Sequence, residues 1–151
     1  MNHISIQQCL ILNPLMSNSE SDSLPRIYRP LPILHTKEEI ETLLNVGTIE
    51  ELLILPLAVG ETFPDWKYAQ DLCLRLAEHS SDTVRANACL GLAYIARTKQ
   101  RLEKHLVKPV LLRELRSQTE FRWRVEDAIK KINHYLKWNL AQKYDKNHNL
   151  K

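Results

Sequence analysis

Residues 80–88 read Ser-Ser-Asp-Thr-Val-Arg-Ala-Asn-Ala and separate two apolar stretches with helical spacing. This pattern predicts the tight corner of a helical hairpin. Asp82 is expected to cap the second helix, because its carboxylate can accept hydrogen bonds from first-turn amides that have no helical partner. Val84 begins a stripe that we expect to be buried. Ala88 and Gly91 continue this stripe with side chains small enough to let a neighbouring helix approach closely.

Further helix signals occur on both sides of this corner. Thr36 and Thr48 are each followed three residues later by a glutamate, which is the spacing of a capping box, and Gly47 separates the two segments. Pro56 lies within the second segment and is expected to kink or shorten that helix. The pattern predicts six helices, which begin at Thr36, at Thr48, near Trp66 and at Asp82 and then cover about 106–117 and 121–140.

An internal repeat indicates that such hairpins are stacked. An offset of 41 residues places Val84 on Val125 and Ala88 on Ile129. Repeats of about 40–47 residues are typical of α-solenoids, in which neighbouring helical hairpins share one core. The sequence therefore predicts an all-α fold, a right-handed α-solenoid of about three helical hairpins, with the third hairpin as a degenerate terminal repeat.

The composition agrees with a single helical domain of ordinary size. The chain has 151 residues, of which 44% are hydrophobic and 26% are charged, and only three are glycine. So few glycines disfavour a fold with many tight β-turns. No apolar run reaches the roughly 18 residues that a membrane-spanning helix requires, so we expect no membrane partner.

Cysteine usage indicates a reducing compartment. The three cysteines are Cys9, Cys73 and Cys89. Cys73 and Cys89 lie on apolar helical stripes and lack cysteine or histidine partners at the spacing of a metal site or a catalytic pair. We therefore predict that both are core residues of a cytoplasmic protein.

Charge is distributed unevenly along the chain. Residues 36–82 contain ten acidic and three basic side chains, a balance of −7, whereas residues 83–151 contain sixteen basic and six acidic side chains, a balance of +10. A molecule with two poles can steer an oppositely charged partner onto one end. The alternative interpretation is that most of these charges lie on solvated helix faces.

The chain divides into three parts by composition. Residues 1–35 contain a polar Ser-rich run and several prolines, which predicts a flexible N-terminal segment. Met16 precedes the polar run and is a second candidate start beside Met1. Residues 36–140 are predicted to form the helical repeat domain, and residues 141–151 a polar tail.

Several motifs resemble a group of small bacterial HEAT-repeat proteins. An acidic residue followed by Val-Arg and then alanines is similar to the inter-helix turn of a HEAT repeat, and here it comprises Asp82, Val84 and Arg85. Further similar motifs are Pro64-Asp65-Trp66, residues 70–76, Glu78-His79, Leu90-Gly91-Leu92-Ala93 and residues 124–128. The resemblance implies a repeat fold without a catalytic motif. Similar proteins look like immunity proteins to polymorphic or contact-dependent toxins, which implies that role here.

The sequence contains no recognisable catalytic or metal-binding motif. The histidines are dispersed, and neither a His-x-x-x-His pair nor a Gly-rich phosphate loop is present. Glu126 and Asp127 are adjacent on the last helix and point about 100° apart, so they do not face one substrate together. We expect one of them to form an ion pair between repeats, with Arg85 or with Arg122. We therefore expect no enzyme activity, metal or cofactor.

Arg122, Trp123 and Arg124 form the strongest candidate for a partner-binding site. Trp and Arg dominate binding hot spots, and this cluster precedes the apolar stripe of the last helix. The alternative is that Trp123 covers the end of the core, whereas Trp66 is expected to fill the core or to wedge helices apart. The sequence thus predicts binding to another protein, in the sharpest form a toxin. Nucleic-acid binding through the basic second half remains the alternative.

Overall fold

The computed structural model describes residues 30–117 and 120–142, and these ranges contain six α-helices and no strand. The all-α prediction is therefore confirmed for this part of the chain. The helices are α1 (Lys37–Val46), α2 (Ile49–Thr62), α3 (Trp66–Leu76), α4 (Asp82–Lys99), α5 (Lys104–Ser117) and α6 (Arg122–Leu136). None of these described helices is long and apolar enough to cross a membrane.

The two predicted capping boxes mark the start of the first hairpin. At α2 the box is complete, because the Thr48 hydroxyl accepts from the Glu51 amide at 3.3 Å and the Glu51 carboxylate accepts from the Thr48 amide at 3.4 Å. At α1 the Thr36 hydroxyl accepts from the Glu39 amide at 3.2 Å. These contacts satisfy first-turn amides that would otherwise lack partners.

Helix α4 lies at the centre of the molecule. It packs most extensively against α2 and α6 and also contacts α3 and α5. In addition, α1 packs on α2 and α5 packs on α6. The pairs α1–α2, α3–α4 and α5–α6 therefore each form a hairpin. Ala86, Ala88, Cys89, Ala93 and Ala96 are all buried along α4, and these small side chains allow helices to pack on several sides of it.

Two glycines permit the close approach of α2 and α4. A Cβ atom on Gly60 would come within 2.6 Å of the Gly91 carbonyl oxygen, and one on Gly91 would come within 2.7 Å of the Pro56 carbonyl oxygen. Both distances are shorter than any allowed carbon–oxygen contact, so larger residues would force the helices apart. The predicted close approach at Gly91 is therefore confirmed.

Two of the prolines lie inside helices. Helix α2 continues through Pro56 to Thr62, so the predicted shortening is wrong. Pro56 is buried where α2 packs on α4, and this packing offsets the loss of the backbone hydrogen bond that proline cannot donate. Pro109 is likewise inside α5, which begins at Lys104 and not at the expected residue 106.

The corner at residues 77–81 differs from prediction in one detail. Ser81, not Asp82, is the N-cap of α4, with extended backbone angles of φ −77° and ψ 122° and no side-chain cap hydrogen bond. Asp82 is already the first helical residue, so it does not occupy the N-cap position itself. An acidic residue in the first turn still interacts favourably with the helix dipole. Val84 is fully buried, as predicted.

The last helix ends four residues earlier than expected. Helix α6 stops at Leu136, and Lys137 adopts a left-handed conformation with φ 57°. The Asn133 side chain then donates to the Leu140 carbonyl at 2.9 Å and accepts from the Leu140 amide at 2.8 Å. This arrangement turns the chain and returns Leu140 to the core, where the residue is 3% exposed.

The packed part of the chain begins before the first helix. Leu34 and Pro32 are buried, and Leu31 packs against the core. Residues 1–29 of the predicted flexible segment (residues 1–35) lie outside the described residues. Cys9, Met16 and most of the predicted tail at residues 141–151 lie outside them as well.

Candidate protein-binding site at the start of helix α6

Trp123 is the most exposed aromatic side chain among the described residues. It is the second residue of α6 and is 61% exposed. The residue therefore lies in the first turn of the helix, ahead of the buried residues that begin at Val125. Phe121, the N-cap, packs against the core at this point, whereas Trp123 projects into solvent. Trp66, by contrast, is partly buried and packs against the core, as expected.

Arg124 supports the Trp123 ring. Its guanidinium carbon lies 5.3 Å from the Trp123 ring centroid and 5.0 Å from the Phe121 ring centroid. Both distances fall within the range of a cation–π contact. The Arg124 side chain thus contacts both aromatic residues and lies against the exposed tryptophan ring.

Asn87 fixes Arg124 in turn. Arg124 Nη1 donates to Asn87 Oδ1 at 3.0 Å, and Asn87 Nδ2 donates to the Leu53 carbonyl oxygen at 2.9 Å. The Asn87 side chain therefore joins α2, α4 and α6, and only 9% of the residue is exposed. Sequence reasoning did not single out Asn87. The available signal was a polar residue within the alanine-rich buried stretch of α4.

Arg122 has a different role from Arg124. Its Nε donates to Glu126 Oε1 at 2.9 Å, and both side chains are about one-third exposed. Asp127 pairs with Lys131 at 2.8 Å. Arg122 is thus the partner of Glu126, but both pairs lie within α6, so the expectation of an ion pair between repeats is wrong.

Arg85 stabilises the corner between α3 and α4. Its Nη1 donates to the carbonyl oxygens of His79 at 2.8 Å and Ser80 at 2.9 Å, and its Nε lies 3.2 Å from Glu114 Oε2. Glu114 is 2% exposed and is also 3.3 Å from Arg113. The carboxylate that pairs with Arg85 is therefore the buried Glu114 on α5 and not Glu126 or Asp127.

Two ion pairs join the acidic part of the chain to the basic part. Arg97 of α4 pairs with Glu61 of α2, and Arg113 of α5 pairs with Glu78, which follows α3, at 2.6 Å. The hydrogen bond that Arg113 donates to the Glu78 carboxylate raises the pKa of Arg113. These contacts reduce the number of cations in the second half that remain available to a partner.

Both described cysteines are core residues. Cys73 and Cys89 are fully buried. Burial raises the pKa of the Cys73 thiol well above its ordinary value and that of Cys89 to about 12. Neither thiol is exposed for reaction with a substrate in this fold, since the reactive thiolate is disfavoured at both positions.

The fold has a counterpart among solved structures. No protein-family model and no curated protein matches the sequence. One chain of a crystal structure described as a CDI (contact-dependent inhibition) complex from Cupriavidus taiwanensis LMG 19424 is similar, with a TM-score of 0.63 and 19% sequence identity. The match covers 74% of this chain and 98% of that chain. At this level of identity the likeness extends to the fold.

Proposed function

We propose that this chain is a non-catalytic protein-binding module that acts as an immunity protein and neutralises a cognate bacterial toxin by direct binding. The observation that carries the proposal is the exposed Trp123, supported by Arg124 and through it by Asn87. An exposed tryptophan can bury a large apolar area in a partner, which is why this residue type is frequent in binding hot spots.

The helix arrangement supports a HEAT-like right-handed α-solenoid as the scaffold. The second helices of the three hairpins, α2, α4 and α6, are neighbours, with α4 between the other two. Stacks of this kind present extended surfaces to macromolecular partners. Their N-terminal ends are joined by the Leu53–Asn87–Arg124 hydrogen bonds, which gives the candidate site a rigid base.

The likeness to a chain from a contact-dependent inhibition complex supports a toxin as the partner. In the proposed mechanism the protein binds the toxin in the cytoplasm and occludes its active surface. Trp123 enters an apolar pocket of the toxin, while Arg122 and Arg124 contribute contacts at the rim of that pocket. No bond is made or broken, so inhibition depends on affinity and on coverage of the toxin surface.

Genetic position provides the experiment that tests this function. An immunity gene is expected directly after the gene of its toxin, so the protein encoded immediately upstream is the probe. The two proteins should co-purify when co-expressed, and this chain should restore growth to cells that express the upstream protein. Trp123→Ala should reduce both effects, whereas Val46→Ala, at the last residue of α1 and 77% exposed, should not. Wild-type chain that neither binds nor protects would overturn the proposal.

A further inference from the structure

The solvent face of α6 continues from Trp123 as a line of basic and polar side chains. Trp123, Lys130 and His134 are separated by seven and four residues, which places them within about 40° of one another around the helix. Lys137 follows at the C-cap. All four residues are exposed, and we call this surface the α6 face.

The α6 face carries positive charge that no other described residue neutralises. Lys131 is paired with Asp127, and Arg124 donates to Asn87. Lys130 and Lys137 are different, because neither forms an ion pair with any residue that the structure describes. Their free ammonium groups give the α6 face a surplus of positive charge beside an exposed aromatic ring.

We propose that the α6 face docks onto an acidic surface groove of the protein partner. This inference rests on the proposed function and names the chemistry of the surface that the partner must present. Trp123 enters an apolar pocket at one end of the groove, and Lys130 and Lys137 meet carboxylates further along it. The stretch from Trp123 to Lys137 is about 21 Å long, which suits one helix lying along a groove.

A protein groove fits these observations better than a nucleic-acid backbone. Arg97, Arg113 and Arg122 are already engaged by carboxylates, so they are not free for phosphates. The two unpaired lysines on α6 are seven residues apart, or about 10 Å along the helix. Binding to a duplex usually recruits about six to ten phosphate contacts, which is more than this face supplies.

Charge reversal on α6 tests whether binding depends on the α6 face or on the rest of the basic half. The test variant is Lys130→Glu with Lys137→Glu. The matched control is Lys108→Glu with Arg116→Glu on α5, which produces the same change in net charge at exposed residues without ion pairs to described residues. Because all four side chains lie on the surface, both variants should keep the wild-type melting curve. Lys130→Gln with Lys137→Gln provides a milder second variant.

The measurement is the association rate with the upstream-encoded protein at low and high salt, with random-sequence duplex DNA as a second probe. We expect the α6 charge reversal to slow association about tenfold at low salt, and the difference to shrink at high salt. The glutamine variant should be intermediate, and the α5 control should stay within about twofold of wild type.

Four results would overturn the inference. If Trp123→Ala weakens binding while the α6 charge reversal associates as fast as wild type, the proposed function survives and the α6 face is excluded. Equal losses in the α6 and α5 variants would show a dependence on net charge alone. Binding of wild type to the duplex, reduced by the α6 reversal, would assign the face to nucleic acid. Wild type that does not bind the upstream-encoded protein would overturn the proposed function and this inference together.

Discussion

Arg124 donates a hydrogen bond to the Asn87 side chain at 3.0 Å, and this contact joins α6 to α4 directly beneath the exposed Trp123. Because Asn87 also donates to the Leu53 carbonyl, one amide connects the three central helices. The residue that supports the candidate site is thus a buried structural residue. Stability and binding should therefore respond together when Asn87 is changed.

Asn87→Ala is expected to lower the free energy of unfolding by about 1–3 kcal/mol, because the Leu53 carbonyl and the Arg124 guanidinium both lose a partner. Urea denaturation measures this change. The same variant should bind the partner more weakly, since Arg124 no longer holds Trp123 in place. Asn45→Ala, at an exposed position on α1, should leave both quantities unchanged.

Val84→Asp is expected to unfold the chain. Val84 is fully buried in α4, and an unpaired buried carboxylate costs several kcal/mol against a total stability of roughly 5–15 kcal/mol. A thermal melt followed by circular dichroism tests this expectation. Ser80→Asp, at the exposed corner four residues earlier, is the control and should melt like wild type. A cooperative Val84→Asp melt within a degree or two of wild type would be incompatible with the packing described for α4.

Arg85→Met is expected to destabilise the fold by about 3 kcal/mol, because it removes one cation from the buried Glu114 and leaves two carbonyl groups of the corner without their donor. Chemical denaturation should show the loss as a lower urea midpoint. Arg116→Met removes an equal charge from an exposed position, and its midpoint should not move. Equal midpoints for the two variants would mean that the Arg85 contacts contribute no net stability.

Glu41 should make the stability of the fold depend on pH in the acidic range. The Arg75 guanidinium, followed by the Tyr68 hydroxyl, holds the pKa of Glu41 below its ordinary value. A lowered pKa in the folded state contributes stability above the ordinary glutamate pKa of about 4.3, and that contribution disappears as the pH falls through the lowered value. Glu41→Gln should therefore be less stable than wild type near pH 7, with the gap closing in acid.

Urea denaturation across that pH range provides the measurement. Glu50→Gln is the control, because Glu50 is exposed and forms no ion pair with a described residue. Since Glu41 is substantially exposed, the effect on stability should be modest and should decrease with added salt. A gap between Glu41→Gln and wild type that persists unchanged into strong acid would contradict the assigned ion pair.

Local sequence signals predicted the helices well where they acted over three or four residues. The Thr48 capping box and the buried stripe through Val84 are both observed. Asp82 is not the N-cap because the chain enters the helix one residue earlier, at Ser81. A capping carboxylate and a first-turn carboxylate look alike in sequence, and only the backbone angles distinguish them.

Long-range polar contacts could not be predicted from spacing. Arg85 pairs with Glu114 of another hairpin, and Asn87 contacts two other helices. Each pairing depends on how the hairpins are placed against each other, which the helical periodicity of one segment does not encode. The candidate cluster at Arg122, Trp123 and Arg124 could be identified from residue type alone. The sequence could not show that Arg124 contacts the Trp123 ring whereas Arg122 pairs with Glu126.

The most direct test of the central claim is the affinity of the double variant Arg122→Ala with Trp123→Ala for the upstream-encoded protein. Both residues lie on the surface of α6, so the variant should retain a wild-type circular-dichroism spectrum. If the cluster is the binding hot spot, affinity should fall by about 2–4 kcal/mol, or roughly 30- to 1000-fold, and protection of cells should be lost. Full affinity and full protection in the folded double variant would contradict the assignment of the site.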